Sequence, residues 1–253
     1  MQHLDSRTVY RQCSEFAQRR RLAMAITDSL SARRFPLVCV LGFSAALGVA
    51  APMQAATFAV SNTQDGGGGS LRQAVIAANA SPGSDQIVFN SNVTGTILLT
   101  SGPLTNDGFA SYYYENTTDR LVIVGPGADR LAIDGNGGSA VIESFLYGAD
   151  STLAISGLTL KHADRGLLVS GGFGETTAVT IADSIITGTT GAGIEIYDWH
   201  YTGRGTVRLQ NLVITGNSGT GIIIVGGDTR IVGSLIADNL GVGILTSTLA
   251  IFA

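Results

Sequence analysis

The chain is 253 residues long, 45% hydrophobic but only 13% charged, with a formal net charge of −4 at pH 7. So small a charged share excludes a disordered polyelectrolyte, and the acidic balance offers no basic face for nucleic acid. Its 2 cysteines are too few for a disulfide scaffold.

Charge divides the chain. Residues 1–56 carry seven arginines against Asp5, Glu15 and Asp28, a net of +4, and residues 57–253 carry eight bases against sixteen acids, a net of −8. Behind Arg33 and Arg34 comes the apolar run PLVCVLGFSAALGVAA, residues 36–51, followed by PMQAATF. Basic flank, apolar core and small-residue exit describe a secretory signal peptide, with the cut expected after Ala55 or Ala56. The run is short for a membrane span, which needs about 20 residues, so no span is expected after its removal. Translation starts at Met1 or at Met24; either start leaves the two arginines in front of the apolar core. Cys13 and Cys39 both lie in this leader, so the exported part must hold together without disulfides.

Residues 57–84 read as an N-terminal cap. GGGG at 66–69 is a turn. SLRQAVIAANA, residues 70–80, begins with Ser70 and Gln73 in capping-box spacing and places Leu71, Val75 and Ala78 on one face of a short helix.

From residue 85 to 253 the sequence is strand, turn, strand. LAISGLTL (153–160), VTIADSII (179–186), VRLQNLVI (207–214) and TRIVGSLI (229–236) align as repeats. A first apolar anchor recurs at Ile155, Ile181, Leu209 and Ile231, at spacings of 26, 28 and 22. A second recurs at Leu160, Ile186, Ile214 and Ile236. A third is Gly followed by an apolar residue: Gly166-Leu167, Gly193-Ile194, Gly221-Ile222 and Gly243-Ile244. Ile133 extends the first series one step back, 22 residues before Ile155. Three short strands per repeat describe one coil of a right-handed parallel β-helix, a single-chain all-β solenoid with room for about seven coils. The longer repeats carry the insertions SGGFGET and YDWHYTGR, as expected of turns on the outside of a solenoid. A leucine-rich repeat and a β-sandwich are the alternatives. The chain stops at LAIFA within a coil, so the expectation is a fragment or a truncated reading frame.

TFAVSNTQDGGGGSLRQAVIAANASPGSDQIVF, GTILLTSGPL, VGPGADRLAIDGNG and the coils after them resemble bacterial secreted right-handed parallel β-helix proteins. These belong to the pectin-lyase-like superfamily, near its polymorphic outer-membrane and adhesin-like groups. The resemblance implies export and a surface or extracellular life, including association with an outer membrane. It does not imply catalysis, because fold-level analogy carries no function.

A lyase of that superfamily would need a base and carboxylates holding Ca²⁺, and a hydrolase would need gathered carboxylates. None of their signatures occurs. Lys161, Asp164 and Arg165 are the weak catalytic candidates, with Lys161 or Arg165 as base and Asp164 as ligand or orienter. The equivalent turns TGTTGA, TGNSGT and ADNLGV add only Asp238 as a charge, so no convergence on this cluster is expected. A ligand-binding surface is expected at Tyr197, Asp198, Trp199, His200, Tyr201 and Arg204, joined by Phe173 and Glu175 of the preceding insertion. Aromatic rings beside polar groups suit a polysaccharide or cell-surface glycan. Tyr112, Tyr113 and Tyr114 form a second, weaker patch. No metal signature is present, and no cofactor is expected beyond Ca²⁺ held loosely at Asp/Asn turns. The leading expectation is a non-catalytic exported module in adhesion or glycan contact. The alternative is a polysaccharide lyase, glycoside hydrolase or epimerase.

Overall fold

The computed structural model describes residues 55–107, 119–146, 150–171, 177–198 and 205–247. All of these fall in one compact unit, within Ala50–Ala253. Residues 1–54 therefore lie outside the described residues, while Ala55, Ala56 and Thr57, which flank the two expected cuts, are described.

β1 (Ala56–Val60) leads through the Gly-rich turn to the helix α1 (Leu71–Asn79). The strands then come in threes. β2 (Gly83–Phe89), β3 (Gly95–Leu98) and β4 (Leu104–Asn106) are followed by β5 (Asp119–Val124), β6 (Leu131–Asp134) and β7 (Ala140–Leu146). Next come β8 (Thr152–Ser156), β9 (Thr159–Lys161) and β10 (Arg165–Gly171), then β11 (Ala178–Ala182), β12 (Ile185–Thr187) and β13 (Ile194–Asp198). β14 (Thr206–Gln210), β15 (Val213–Thr215) and β16 (Ile222–Val225) precede β17 (Asp228–Val232), β18 (Leu235–Ala237) and β19 (Ile244–Ser247).

Every third strand pairs with the last of its kind, giving three sheets. The first, of seven strands, runs β1-β2-β5-β8-β11-β14-β17. The second, of six, runs from β3 to β18, and the third, also of six, from β4 to β19. All the pairings are parallel and join strands one turn of chain apart. The fold is the expected parallel β-helix. A β-sandwich would pair its strands antiparallel, and a leucine-rich repeat would return through helices or 3₁₀ turns.

Stacking sets the core. Ile155 pairs with Ile181, Ile181 with Leu209 and Leu209 with Ile231 in the first sheet. Leu160, Ile186, Ile214 and Ile236 stack in the second sheet. Leu167, Ile194, Ile222 and Ile244 stack in the third. One expectation is corrected. Ile133 pairs with Leu160 and so belongs to the second series, and the partner of Ile155 in the preceding coil is Ile123.

Two corners repeat along the axis. Between the first and second sheets a single residue takes positive φ: Gly157, Asp183, Asn211 or Gly233, at 67°, 48°, 53° and 63°. After the second sheet the same role falls to His162, Gly188, Gly216 and Asp238. Asn, Asp and His tolerate that conformation better than other side-chain-bearing residues. The Gly166–Gly193–Gly221 ladder at the entry to the third sheet has a different cause. A Cβ on Gly193 would lie 2.7 Å from the Gly221 carbonyl oxygen and 2.9 Å from Ile214 Cγ2.

α1 buries Leu71, Ala74, Val75 and Ala78. The Ser70 Oγ accepts from the Gln73 N–H at 3.2 Å, while the Ser70 N–H donates to the Gly67 carbonyl at 3.3 Å. The Gly-rich turn thus takes the donor that a full capping box would give to Gln73. Asp65 fastens the helix to the first coil. Its Oδ1 takes Arg72 Nε and NH2 at 2.9 and 2.6 Å, and its Oδ2 takes the Thr100 and Ser101 N–H groups, both at 2.9 Å. Burial pushes this carboxyl up, but the Thr100 N–H, Arg72, Ser101 and the Thr100 hydroxyl outweigh it and pull the pKa down to about 2. A depressed carboxyl stabilises the fold above its unfolded value near ~3.9 and loses that contribution as pH falls.

Gly193→Ala is expected to cost about 1–3 kcal/mol, because neither the Gly221 backbone nor the stacked Ile214 can yield freely. Gly66→Ala, whose Cβ would meet nothing within 4 Å, is expected to stay within about 0.5 kcal/mol of the parent. Urea-unfolding midpoints compare the two.

Candidate functional site

The segment KHADR turns the chain from the second sheet to the third. Lys161 closes β9, His162 takes φ 54°, and Ala163 packs inward with 1% exposure. Asp164 and Arg165 emerge at the corner. Both neighbouring coils reach this corner, against the expectation of no convergence. Asp134 at the end of β6 pairs with Lys161 one coil back. Its Oδ2 lies 2.9 Å from His162 Nδ1 and 3.6 Å from Lys161 Nζ, and its Oδ1 accepts the Asn136 N–H at 3.0 Å. Burial pushes the Asp134 carboxyl up, but the Asn136 N–H, His162 and Lys161 together hold it below the usual range.

From the coil ahead comes Glu195 in β13. Arg165 Nε donates to Glu195 Oε2, and Arg165 NH1 donates to Asp164 Oδ2 at 2.6 Å. The hydroxyl of Thr190 donates to Asp164 Oδ1 at 3.2 Å. Tyr197, two residues past Glu195 on the same strand face, donates its hydroxyl to Glu195 Oε1 at 2.6 Å. The Glu195 side chain is 8% exposed. It is a covered carboxylate held by a cation and a phenol, as a buried charge requires.

This arrangement bears on the weak catalytic candidates. The hydrogen bond to Glu195 raises the Arg165 guanidinium above its already high value, outweighing burial, with the Glu195 and Asp164 charges adding to the rise. A guanidinium so held does not accept a proton at neutral pH. Lys161 is engaged with Asp134, and Asp164 with Arg165 and Thr190. The same Glu195 hydrogen bond, with burial, raises the Tyr197 phenol.

Arg165 of the first candidate cluster and Tyr197 of the second therefore meet through Glu195. Glu195, Asp134 and Thr190 were missed. The sequence did hold a signal for Glu195: in GIEIYD it alternates with core residues and shares a strand face with Tyr197. Asp198 ends β13 opposite Gly171 of β10. Trp199, His200, Tyr201, Arg204, Phe173 and Glu175 lie outside the described residues, as do Tyr112, Tyr113 and Tyr114. Their anchors are described. Residues 172–176 and 199–204 leave from the paired positions 171 and 198 and return just before the paired Ala178 and Thr206.

Glu195→Gln should bring the Tyr197 phenol back down toward the ordinary tyrosine range and cost about 1–3 kcal/mol, since Arg165 then loses a charged acceptor. Tyrosine ring-carbon NMR shifts across alkaline pH, with denaturant melts, check both.

Comparison with known proteins gives one family, described as "Periplasmic copper-binding protein (NosD)", matching residues 78–250. No curated protein and no solved structure matches the chain. Copper calls for imidazole, thiolate or thioether donors. Among the described residues His162 is the sole histidine, and cysteine and methionine are absent. No group of three or more His, Cys, Asp or Glu among them could hold a metal ion. One imidazole with no second soft donor beside it does not make a copper site, so the described donor set does not fit copper. No described helix is long and apolar enough to cross a membrane. The match spans the coils and well over half of the chain, and its repeat architecture is the one described above: the chain belongs to the NosD family, a periplasmic family of β-helix repeat proteins.

Proposed function

We propose that the protein is an exported, non-catalytic β-helix module whose third sheet contacts a polysaccharide or cell-surface glycan. In this reading residues 1–56 are a leader with its apolar core at 36–51, residues 57–84 cap the first coil, and residues 85–253 form the binding solenoid. The cap reading is supported by β1, which stands at the edge of the first sheet, and by the apolar face that α1 buries.

The observation that carries the proposal is the convergence on one sheet. Arg165, Glu195 and Tyr197 form a connected polar set along the third sheet. The insertions with Phe173, Glu175, Trp199, His200, Tyr201 and Arg204 follow directly from its paired strands β10 and β13. Loops on a rigid scaffold are where binding concentrates, and phenol and indole groups offer both a face and a polar edge. The mutual pairing of Asp164, Arg165 and Glu195 favours binding over acid–base turnover, because each group is already committed to a partner.

The test incubates the exported protein with a panel of acidic and neutral polysaccharides, following retention and new chain ends together. Retention without new reducing or unsaturated ends is expected. Trp199→Ala should weaken retention about tenfold or more. Absence of retention on every glycan, or new ends that vanish in Arg165→Ala, would overturn the proposal.

A further inference from the structure

Asp85 is an unexpected residue to find where it lies. It sits in β2 on the inward side, two positions before the core residue Ile87, and is 2% exposed. Its Oδ1 accepts the Ala56 backbone N–H at 3.1 Å and the Ser81 hydroxyl at 3.3 Å. Its Oδ2 is buried and has no hydrogen-bond partner. Burial pushes the carboxyl up, and the Ala56 N–H and Ser81 offset this only in part. An inward carboxylate with a bare oxygen and, among the described residues, no cation is costly, so the described coil carries an acceptor with one donor group too few.

The donor it touches belongs to Ala56, the residue that flanks both expected cuts, after Ala55 and after Ala56. Ala56 opens β1 and pairs in register with Asp85. We infer that Asp85 is the receptor for the mature N-terminus: cleavage between Ala55 and Ala56 turns the Ala56 amide into an α-ammonium that pairs with the buried carboxylate. The step is a peptide hydrolysis by the signal peptidase of the exporting cell. Water gives its hydroxyl to the Ala55 carbonyl carbon and a proton to the Ala56 nitrogen as the bond between them breaks. At neutral pH the new acid loses a proton and the new amine gains one.

Chemistry favours the product. The amide supplies one N–H and no charge, whereas the ammonium supplies three donors and a positive charge, enough to serve both carboxyl oxygens. The geometry also separates the two cleavage bonds allowed by the sequence. Thr57, which a cut after Ala56 would make N-terminal, pairs with Gln86 rather than Asp85. Processing would thus complete the first rung of the solenoid and couple folding to removal of the leader.

The inference rests on the export reading, and its test keeps the two apart. The full-length chain is expressed in a Gram-negative host, and the exported protein is characterised by intact mass and N-terminal sequencing. A chain beginning at Ala56 is expected. A chain beginning at Thr57 or elsewhere would overturn this inference and leave export standing, and a chain that keeps its leader would overturn both.

In the processed protein, Asp85→Asn and selective acetylation of the α-amine are then combined. Each alone should lower the folding equilibrium about tenfold, and the two together no further than either alone. Full additivity would overturn the inference. Should Asp85→Asn fail to fold, the pH dependence of the unaltered protein serves instead. Pairing raises the α-amine pKa, so its stabilisation is complete below the unfolded value near ~7.8 and is lost as pH rises through the folded one. Acetylation should abolish that alkaline loss, and an unchanged profile would count against the pairing.

Discussion

Everything in this structure depends on one constraint: each strand must lie in register against its equivalent one coil away. A single coil has three short strands and no second layer, so it cannot bury its own inward side chains. Burial comes from stacking like on like. That is why Ile181 sits between Ile155 and Leu209, and Ile194 between Leu167 and Ile222. The same constraint makes Gly193 a matter of space, since the coils on either side bring backbone to within contact of where a Cβ would stand. It also builds a polar ladder inside the corner before the third sheet. Thr189 donates its N–H and hydroxyl to Asn217 Oδ1 at 3.0 and 2.9 Å, and Asn217 Nδ2 donates to Asn239 Oδ1 at 2.8 Å. Identical geometry at each turn lets one amide satisfy the next, which is how buried polar groups become tolerable.

The candidate site is a by-product of that repetition. Arg165 and Glu195 are 30 residues apart in sequence, yet they emerge on neighbouring rungs, so a corner cation meets a strand carboxylate. Asp134 reaches Lys161 and His162 from the other side in the same way. A solenoid converts sequence period into a lattice of surface positions. A group on one rung can be held by groups on the rungs before and after it, while insertions vary freely at a corner.

Much of the fold was legible because the apolar anchors repeat with the pairing itself. The three series at 155, 160 and 167 map onto the three sheets. Ile133 shows the limit. Its 22-residue distance from Ile155 matches a real coil spacing, but corner insertions vary in length, so spacing alone does not establish pairing. Thr189, Asn217 and Asn239 fall at the same 28 and 22 spacings as the apolar anchors, but uncharged polar residues in turn-like strings do not show in sequence that they point inward. Glu195 is only partly legible for a related reason. It is a single acid inside an apolar strand, and its meaning depends on Arg165 one coil back, a relation that only the register supplies. Asp85 was equally silent in sequence, since a turn-like Pro-Gly-Ser-Asp string does not reveal that the carboxylate points inward.

The register can be tested directly, because cysteine is confined to residues 1–56. Thr180 and Arg208 are partners across β11 and β14, so their Cα atoms lie about 4.8 Å apart, within disulfide range. Thr180 and Gln210 are offset by two residues, roughly 8 Å apart and beyond that range. Cysteines placed at 180 and 208 in the exported protein are predicted to form an intramolecular disulfide rapidly under mild oxidation, while cysteines at 180 and 210 do not. Equal yields from both pairs, or a bond only in the offset pair, would contradict the register and with it the account of core, corner and site that rests on it.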